Sequence, residues 1–299
     1  MPGFDVYVYG MTVLSTIHLL KGKYPAADAY QEIAQSYLMP GGEGANAAIV
    51  LQNLGLRTQL DACYFGALTA APLKESFDAY GIDHSLMPYD GGFPGWRDLV
   101  LCDGESRTVF GWYGGYLFEG GGRWTDPSED AIRTARCVAL DPFFPQSSAK
   151  VAALCQKHAK DYVTIDCKWD DPVAQNARVL IVSKEFLYGS YPAADYTQLY
   201  QQYCRACRGL VIFTWGSRDL WYTAPGAETK TFAPFKIDVV DTLGAGDTFR
   251  AGIVYGLLQG MSDEALVRFA SAAAAVVCTR FPSVYQPPAL AEIQALLDR

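Results

Sequence analysis

A glycine-rich segment at residues 241–249 places a carboxylate beside small residues. Gly244-Ala245-Gly246 precede an apolar run with helical spacing, so we expect a helix to begin there and to end near Gly260. A helix N-terminus presents unpaired N–H groups and the positive end of the helix dipole, and small residues let a phosphate approach. Asp247 would lie beside that phosphate, where it could accept a proton from an incoming hydroxyl. The alternative is a plain turn capped by Asp247.

A second glycine-rich segment, residues 40–48, precedes the helical run 49–54, which Gly55 ends. Glycines ahead of a helix again predict close approach of the backbone to a ligand, here around Gly42. Asn46 offers both a hydrogen-bond donor and an acceptor, which suits a polyhydroxy compound. A tight loop with Asn46 as its cap is the alternative.

The elements that must position these segments follow an alternating pattern. After residue 137, apolar runs alternate with helical runs, as in a parallel sheet flanked by helices. Ligands bind beyond the carboxyl ends of such strands, so we expect both glycine segments at one cleft. Residues 235–240 should form a short strand or an extended approach to it. The predicted strands are 138–140, 162–165, 179–182 and 210–213, the predicted helices are 148–160, 195–207 and 268–279, and strand-rich insertions at 12–19, 31–39 and 98–110 could form a small sheet.

Composition limits the function classes. A chain of 299 residues, half of them apolar, can bury one large core, and a net charge of −8 argues against nucleic acid and anionic membranes as partners. The start of the chain lacks a basic region followed by a long apolar run, and the apolar run 270–277 is too short to span a bilayer. The eight cysteines lack a repeated spacing and suggest reduced thiols. We therefore expect a soluble, cytoplasmic protein.

Taken together and in this order, the two glycine segments resemble the paired signatures of the PfkB (ribokinase-like) carbohydrate kinase family. The first is similar to G-G-x-x-x-N, and the second to D-T-x-G-A-G-D-x-F-x-A-G. Residues 182–185 and 241–244 look most like the ketohexokinase branch. The resemblance implies a ribokinase-like α/β fold, with a parallel-sheet sandwich flanked by helices and a small β lid. It implies one domain over residues 1–299, with lid segments at about 12–39 and 92–115.

The function that the resemblance implies is ATP-dependent phosphorylation of a primary hydroxyl on a sugar. Two alternatives stay open: a nucleoside kinase, and a non-catalytic protein that binds nucleotides or sugars on the same fold. The implied ligands are a small-molecule sugar, ATP, Mg²⁺ and a monovalent cation, and a homodimer could form through the lid.

The family roles carry over to matching positions. Asp247 matches the catalytic base, and the backbone at Gly244, Ala245 and Gly246 matches the anion hole. The remaining matches are to substrate-binding and nucleotide-binding positions. The substrate side comprises Gly42, Asn46 and the lid-region Arg107, and the nucleotide side comprises Thr214, Gly216 and Thr242.

Two departures from the family pattern affect the acceptor and the metal. Ser15 stands where the family usually has an Asp that binds sugar hydroxyls, which implies a changed substrate. The usual N-x-x-E near the metal is replaced by Ser-Lys-Glu-Phe at 183–186, so the acidic function would come from Glu185 or Asp166. Both departures favour the non-catalytic alternative, whereas the intact Asp247 opposes it.

Overall fold

The computed structural model describes residues 3–104, 106–119, 121–282 and 284–299, so residue 105 of the predicted lid segment 92–115 lies outside it. Its strands form two main sheets and one short pair. In chain order they are β1 (Val6–Gly10), β2 (Val13–Leu20), β3 (Ile33–Gly41), β4 (Thr58–Ala62), β5 (Phe65–Gly66), β6 (Tyr89–Asp90), β7 (Arg97–Cys102), β8 (Arg107–Gly111), β9 (Cys137–Leu140), β10 (Tyr162–Ile165), β11 (Val179–Ser183), β12 (Leu210–Trp215), β13 (Arg218–Thr223) and β14 (Lys230–Phe232).

Helices connect most of these strands. They are α1 (Glu43–Asn53), α2 (Ala70–Tyr80), α3 (Gly114–Phe118), α4 (Glu129–Thr134), α5 (Pro145–Lys157), α6 (Pro172–Gln175), α7 (Lys184–Ser190), α8 (Tyr196–Ala206), α9 (Ala245–Leu258), α10 (Asp263–Val277) and α11 (Leu290–Leu297). Within the described ranges, no helix is long and apolar enough to cross a bilayer.

The larger sheet has eight strands in the order β14-β13-β12-β11-β10-β9-β1-β4. From β4 to β12 the neighbours run parallel, while β13 and β14 add an antiparallel edge. All residues of β1, β9 and β10 are buried, because helices such as α1, α5 and α9 pack against them. Strands covered on both faces read as continuous apolar runs, which is why the sequence predicted them well. The predicted α/β class is confirmed.

The smaller sheet has four strands in the order β3-β2-β7-β8 and comes from the predicted strand-rich insertions. Strands β2 and β7 run parallel, and the outer pairs run antiparallel. Alternate side chains point to opposite faces of a strand, so this sheet has two distinct surfaces. Its inner face carries Ile17, Met39, Val100 and Cys102, which pack with Leu243 of the second glycine segment.

Residues 235–240 do not form the strand that the apolar run suggested. The chain is irregular there, and Val239 and Val240 are 60% and 48% exposed. The N–H of Val240 donates to the carbonyl of Cys278 at 2.8 Å rather than to a neighbouring strand. A run of apolar residues without a partner strand has no ladder to join, so the strand alternative was wrong, and the alternative of an approach to the glycine segment stays a prediction.

Candidate active site

The second glycine segment forms a turn that leads directly into α9. Gly244 is the residue before the helix and has a left-handed backbone (φ 74°), and the N–H of Thr248 donates to its carbonyl at 2.9 Å. The predicted helix start is confirmed. Asp247 lies in the first turn and is not the cap, so the alternative of a turn capped by this residue is wrong. Among the described residues no side chain caps α9, although the N–H of Ala245 donates to the carbonyl of Thr242 at 3.2 Å.

Glycine is required by the backbone at two positions of the site. A Cβ on Gly244 would lie 2.2 Å from Cγ2 of Val284, and a Cβ on Gly42 (φ 87°) would lie 2.6 Å from the carbonyl oxygen of Met11. Gly246 differs, because a Cβ there would meet no described atom within 4 Å. Open space in front of a helix N-terminus is what an anion needs to reach the N–H groups.

Asn46 and Asp247 bring the two glycine segments together, although 201 residues separate them. Nδ2 of Asn46 donates to Oδ2 of Asp247 at 2.8 Å. Asn46 lies inside α1 and therefore does not cap a loop. Its Oδ1 is buried and accepts no hydrogen bond from the described residues. A hydroxyl beside Asp247 could therefore donate to this oxygen.

A buried ion pair lies beneath the site. Arg250 of α9 pairs with Asp141 at the end of β9, and both side chains are fully buried. Arg250 also donates to the carbonyl of Glu43, and the second oxygen of Asp141 accepts the N–H of Met11 at 2.7 Å. The pair thus ties the ends of β1 and β9 to the starts of α1 and α9. Our sequence reasoning missed both residues, although an Arg inside an apolar helix is itself a signal of a buried partner.

We expect Arg250→Met to lower the free energy of unfolding by roughly 3–5 kcal/mol, because it leaves Asp141 buried without its partner. Urea unfolding measures this effect. The double variant Asp141→Asn with Arg250→Met should recover part of the loss. Arg133→Met is the control, since that arginine pairs with Asp130 at the surface and should contribute little. A similar small loss in both single arginine variants would contradict the structural role of the buried pair.

Burial raises the pKa values of two acids of the site, Asp247 and Glu43. It raises the pKa of Asp247, while the charge of Arg250 and the hydrogen bond from Asn46 act in the opposite direction. Burial, and then the negative charges of Asp247 and Asp141, raise the pKa of Glu43 to about 8. A carboxylate with a raised pKa is a better proton acceptor for a hydroxyl near neutral pH.

The predicted substrate-side residues Ser15 and Arg107 lie on the small sheet. Ser15 is 4% exposed and faces Asp98 across the β2/β7 pair. Nη1 of Arg107 donates to Oγ1 of Thr242 at 2.9 Å, which links the small sheet to the second glycine segment. Both substrate-side positions therefore lie on elements that adjoin the N-terminus of α9.

The predicted nucleotide-side residues lie at the carboxyl end of β12. Thr214 pairs with Ser183 of β11, and Gly216 makes the following turn with φ 67°. A Cβ on Gly216 would lie 3.0 Å from Nζ of Lys184, so a positive charge stands beside this turn. The sequence reasoning did not single out Lys184, which could contact a phosphate.

Residues 5–289 match the model of the pfkB family carbohydrate kinases. The chain belongs to this family. A nucleoside kinase from Methanothermobacter thermautotrophicus is 26% identical over 296 residues, covering 91% of this chain and 89% of that protein. A putative ribokinase from Agrobacterium tumefaciens superposes with a TM-score of 0.87 at 21% identity, covering 99% of each chain. An Arabidopsis thaliana ribokinase complexed with ribose and ATP superposes with a TM-score of 0.82 at 19% identity, and the match also covers 99% of each chain.

These matches confirm the ribokinase-like fold. The resemblance to the ketohexokinase branch stays a prediction.

The two acids predicted to bind a metal follow neighbouring strands. Asp166 follows β10, and its two oxygens accept the N–H and Oγ of Ser183 at 2.7 and 3.0 Å. Burial raises its pKa to about 6, and the charges of Glu185 and Asp247 add to this. The described part of the chain contains no cluster of three potential metal ligands. Mg²⁺ commonly takes one or two carboxylates besides water and phosphate oxygens, so Asp166 and Glu185 fit that ion.

Proposed function

We propose that this pfkB-family protein transfers the γ-phosphoryl group of ATP to a primary hydroxyl of a sugar. The observation that carries the proposal is the contact between Asn46 and Asp247 in the first turn of α9. A carboxylate in the first turn of a helix, with open space at Gly246, supports a proton acceptor beside a bound phosphate. The family membership supports the same reaction class.

In the proposed reaction, Asp247 accepts the proton of the acceptor hydroxyl. The hydroxyl oxygen forms a bond to the γ-phosphorus, the bond from that phosphorus to the β,γ-bridging oxygen breaks, and ADP leaves. The backbone around Gly244, Ala245 and Gly246 stabilises charge on the transferring group, a role in which positioned donors contribute most. Asp247 afterwards releases its proton to water.

The nucleotide would lie along the turn after β12. Thr214, Gly216 and Thr242 are the proposed contacts, and Lys184 adds a positive charge beside Gly216. Asp166 and Glu185 would hold Mg²⁺, which neutralises the charge of the ATP phosphates when bound. We also propose that a monovalent cation assists the reaction. Comparing activity in potassium and tetramethylammonium salts tests that part.

The acceptor would lie between α1 and the small sheet. Gly42 and Asn46 line one side, and Ser15 and Arg107 come from the other. We propose that the small sheet, with segments 12–39 and 92–115, is a lid within a single domain of residues 1–299. The bond between Arg107 and Thr242 would then hold the lid near the phosphate site. Arg107→Ala should weaken acceptor binding without changing the melting temperature.

A nucleoside is the second candidate acceptor, and the 26% identity to an archaeal nucleoside kinase favours it. A non-catalytic binding protein would need none of the arrangement at Asp247. ADP release with Mg-ATP, measured over a panel of D-ribose, D-fructose, their deoxy and amino derivatives, and nucleosides, distinguishes the three. Activity with a sugar supports the first proposal, activity confined to nucleosides supports the second, and none at all supports binding only.

The outer face of the small sheet is the proposed dimer surface. Leu38, Thr16, Leu99 and Phe110 form one row across its four strands, and Leu38 and Phe110 are 56% and 45% exposed. An apolar row of this kind suits a second copy of the chain. Light scattering should give the wild type a molar mass twice that of the monomer. The Leu38→Glu variant should have the mass of the monomer.

We place the protein in the cytoplasm. All eight cysteines are free thiols in the structure, and seven of them are buried. Free thiols persist in a reducing compartment.

A further inference from the structure

Asp98 of β7 is a buried carboxylate that the sequence analysis did not single out. It is 9% exposed, and burial raises its pKa to about 6. Ser15 stands opposite it in the β2/β7 pair, but Oδ1 of Asp98 has no partner among the residues described. A buried polar atom left without a partner is costly, and in native proteins it usually has a functional reason.

The strand register places Asp98 on the face of the small sheet that adjoins the site. Met39, Ser15, Asp98 and Gly111 form one row across the four strands. Val100 follows Asp98 by two positions on β7 and therefore lies on the same face of the sheet. It belongs to the cluster that packs with Leu243. Asp98 therefore projects toward the second glycine segment rather than toward solvent.

Tyr113 connects Asp98 with the first glycine segment. Its ring covers Gly111, where a Cβ would lie 2.2 Å from Cζ of the tyrosine. Burial raises the pKa of the Tyr113 hydroxyl, and the negative charges of Asp98 and Glu43 raise it further. Tyr113 therefore lies near both Asp98 on the small sheet and Glu43 at the start of α1.

We propose that Asp98 binds hydroxyls of the acceptor, from the strand next to Ser15, and that the acceptor is an uncharged polyhydroxy compound. This inference rests on the proposed function. Oδ1 of Asp98 and Oδ1 of Asn46 are both buried acceptors without described partners, so a ligand that reaches both would supply two donors. Neighbouring hydroxyls of a sugar do so.

The charged residues on this side of the site argue against an anionic acceptor. Asp98 and Asp247 are acidic, the guanidinium of Arg250 is already paired with Asp141, and that of Arg107 donates to Thr242. A sugar phosphate or a sugar acid would bring another negative charge next to these carboxylates. The wild-type panel should therefore include gluconate and a sugar phosphate, and we expect neither to be phosphorylated.

Asp98→Ala tests the role of the carboxylate, with Asp98→Asn as a second variant of the same shape. The KM for the best panel sugar should rise roughly tenfold to a hundredfold in Asp98→Ala, as for loss of a hydrogen bond to a charged group. The KM for ATP should not change. Asp103→Asn is the matched control, because this carboxylate lies at the end of the same hairpin, where it accepts hydrogen bonds from Ser106 and from the N–H of Tyr24.

A pair of sugars that differ by one hydroxyl separates binding from a structural role. If the missing hydroxyl is the one that Asp98 binds, the sugar without it should have a higher KM with the wild type. The same change of sugar should have little further effect on the KM of Asp98→Ala. A merely structural aspartate would instead give equal losses for both sugars, or a lower melting temperature with a higher KM for ATP. An unchanged sugar KM in both Asp98 variants would overturn the inference alone, whereas a wild type that phosphorylates nothing on the panel would remove the proposed function with it.

Discussion

Asp247→Asn is expected to abolish phosphoryl transfer and to leave Mg-ATP binding nearly intact. The carboxamide fills the same space in the first turn of α9 and can still contact Asn46, but it cannot accept the hydroxyl proton. Loss of a general base typically lowers the rate by about 10²–10⁴. Single-turnover kinetics with the best panel acceptor gives the rate, and calorimetric titration gives the affinity for Mg-ATP.

Asp195→Asn is the control for this variant. Asp195 also stands at a helix N-terminus, where it caps α8 by accepting from the N–H groups of Thr197 and Gln198, and Asn caps helices equally well. It should keep the full rate. If Asp247→Asn turned over as fast as this control, Asp247 would lose its place as the base.

Gly246→Val is the second change with a large expected effect. Its Cβ would enter space that no described atom occupies within 4 Å, so the fold should tolerate it. The branched side chain would then occupy the volume proposed for the transferring phosphate and block the N–H groups. We expect kcat/KM for ATP to fall by at least roughly 10²–10³, the range seen when a single donor to a developing charge is lost.

Gly189→Val is the matched control, because Gly189 also lies in a helix, with no described atom within 4 Å of its Cβ position. Both variants should melt near the wild-type temperature. Gly244→Val is a poorer test, since its side chain would collide with Val284 at a positive φ and unfold the turn for reasons unrelated to ATP. A normal ATP titration curve for folded Gly246→Val would contradict the proposed phosphate site.

The fully buried strands were the most predictable part of the fold. Residues 162–165 form β10 with the predicted bounds, because a strand covered on both faces forms a nearly continuous apolar run in the sequence. The start of α1 was less predictable. It begins at Glu43, six residues before the apolar run at 49–54, since its glycines and alanines pack close to β1 and give no amphipathic pattern.

The motifs predicted where the site would form, but they did not predict the buried charged residues around it. The glycine segments meet as expected, and Asn46 contacts Asp247. By contrast, Arg250 meets Asp141 across 109 residues, and Asp98 faces Ser15 only because β2 and β7 pair in one register. Such pairings follow from the tertiary arrangement, which neither local spacing nor composition encodes.

The most direct measurement of the central proposal follows a radiolabelled γ-phosphate from ATP. The wild type is incubated with labelled Mg-ATP and its best panel acceptor, and the products are separated and identified by mass. The account predicts label on a primary hydroxyl of the sugar, one ADP per phosphorylated sugar, and neither product with Asp247→Asn. Label released only as inorganic phosphate, or equal transfer by both proteins, would contradict it.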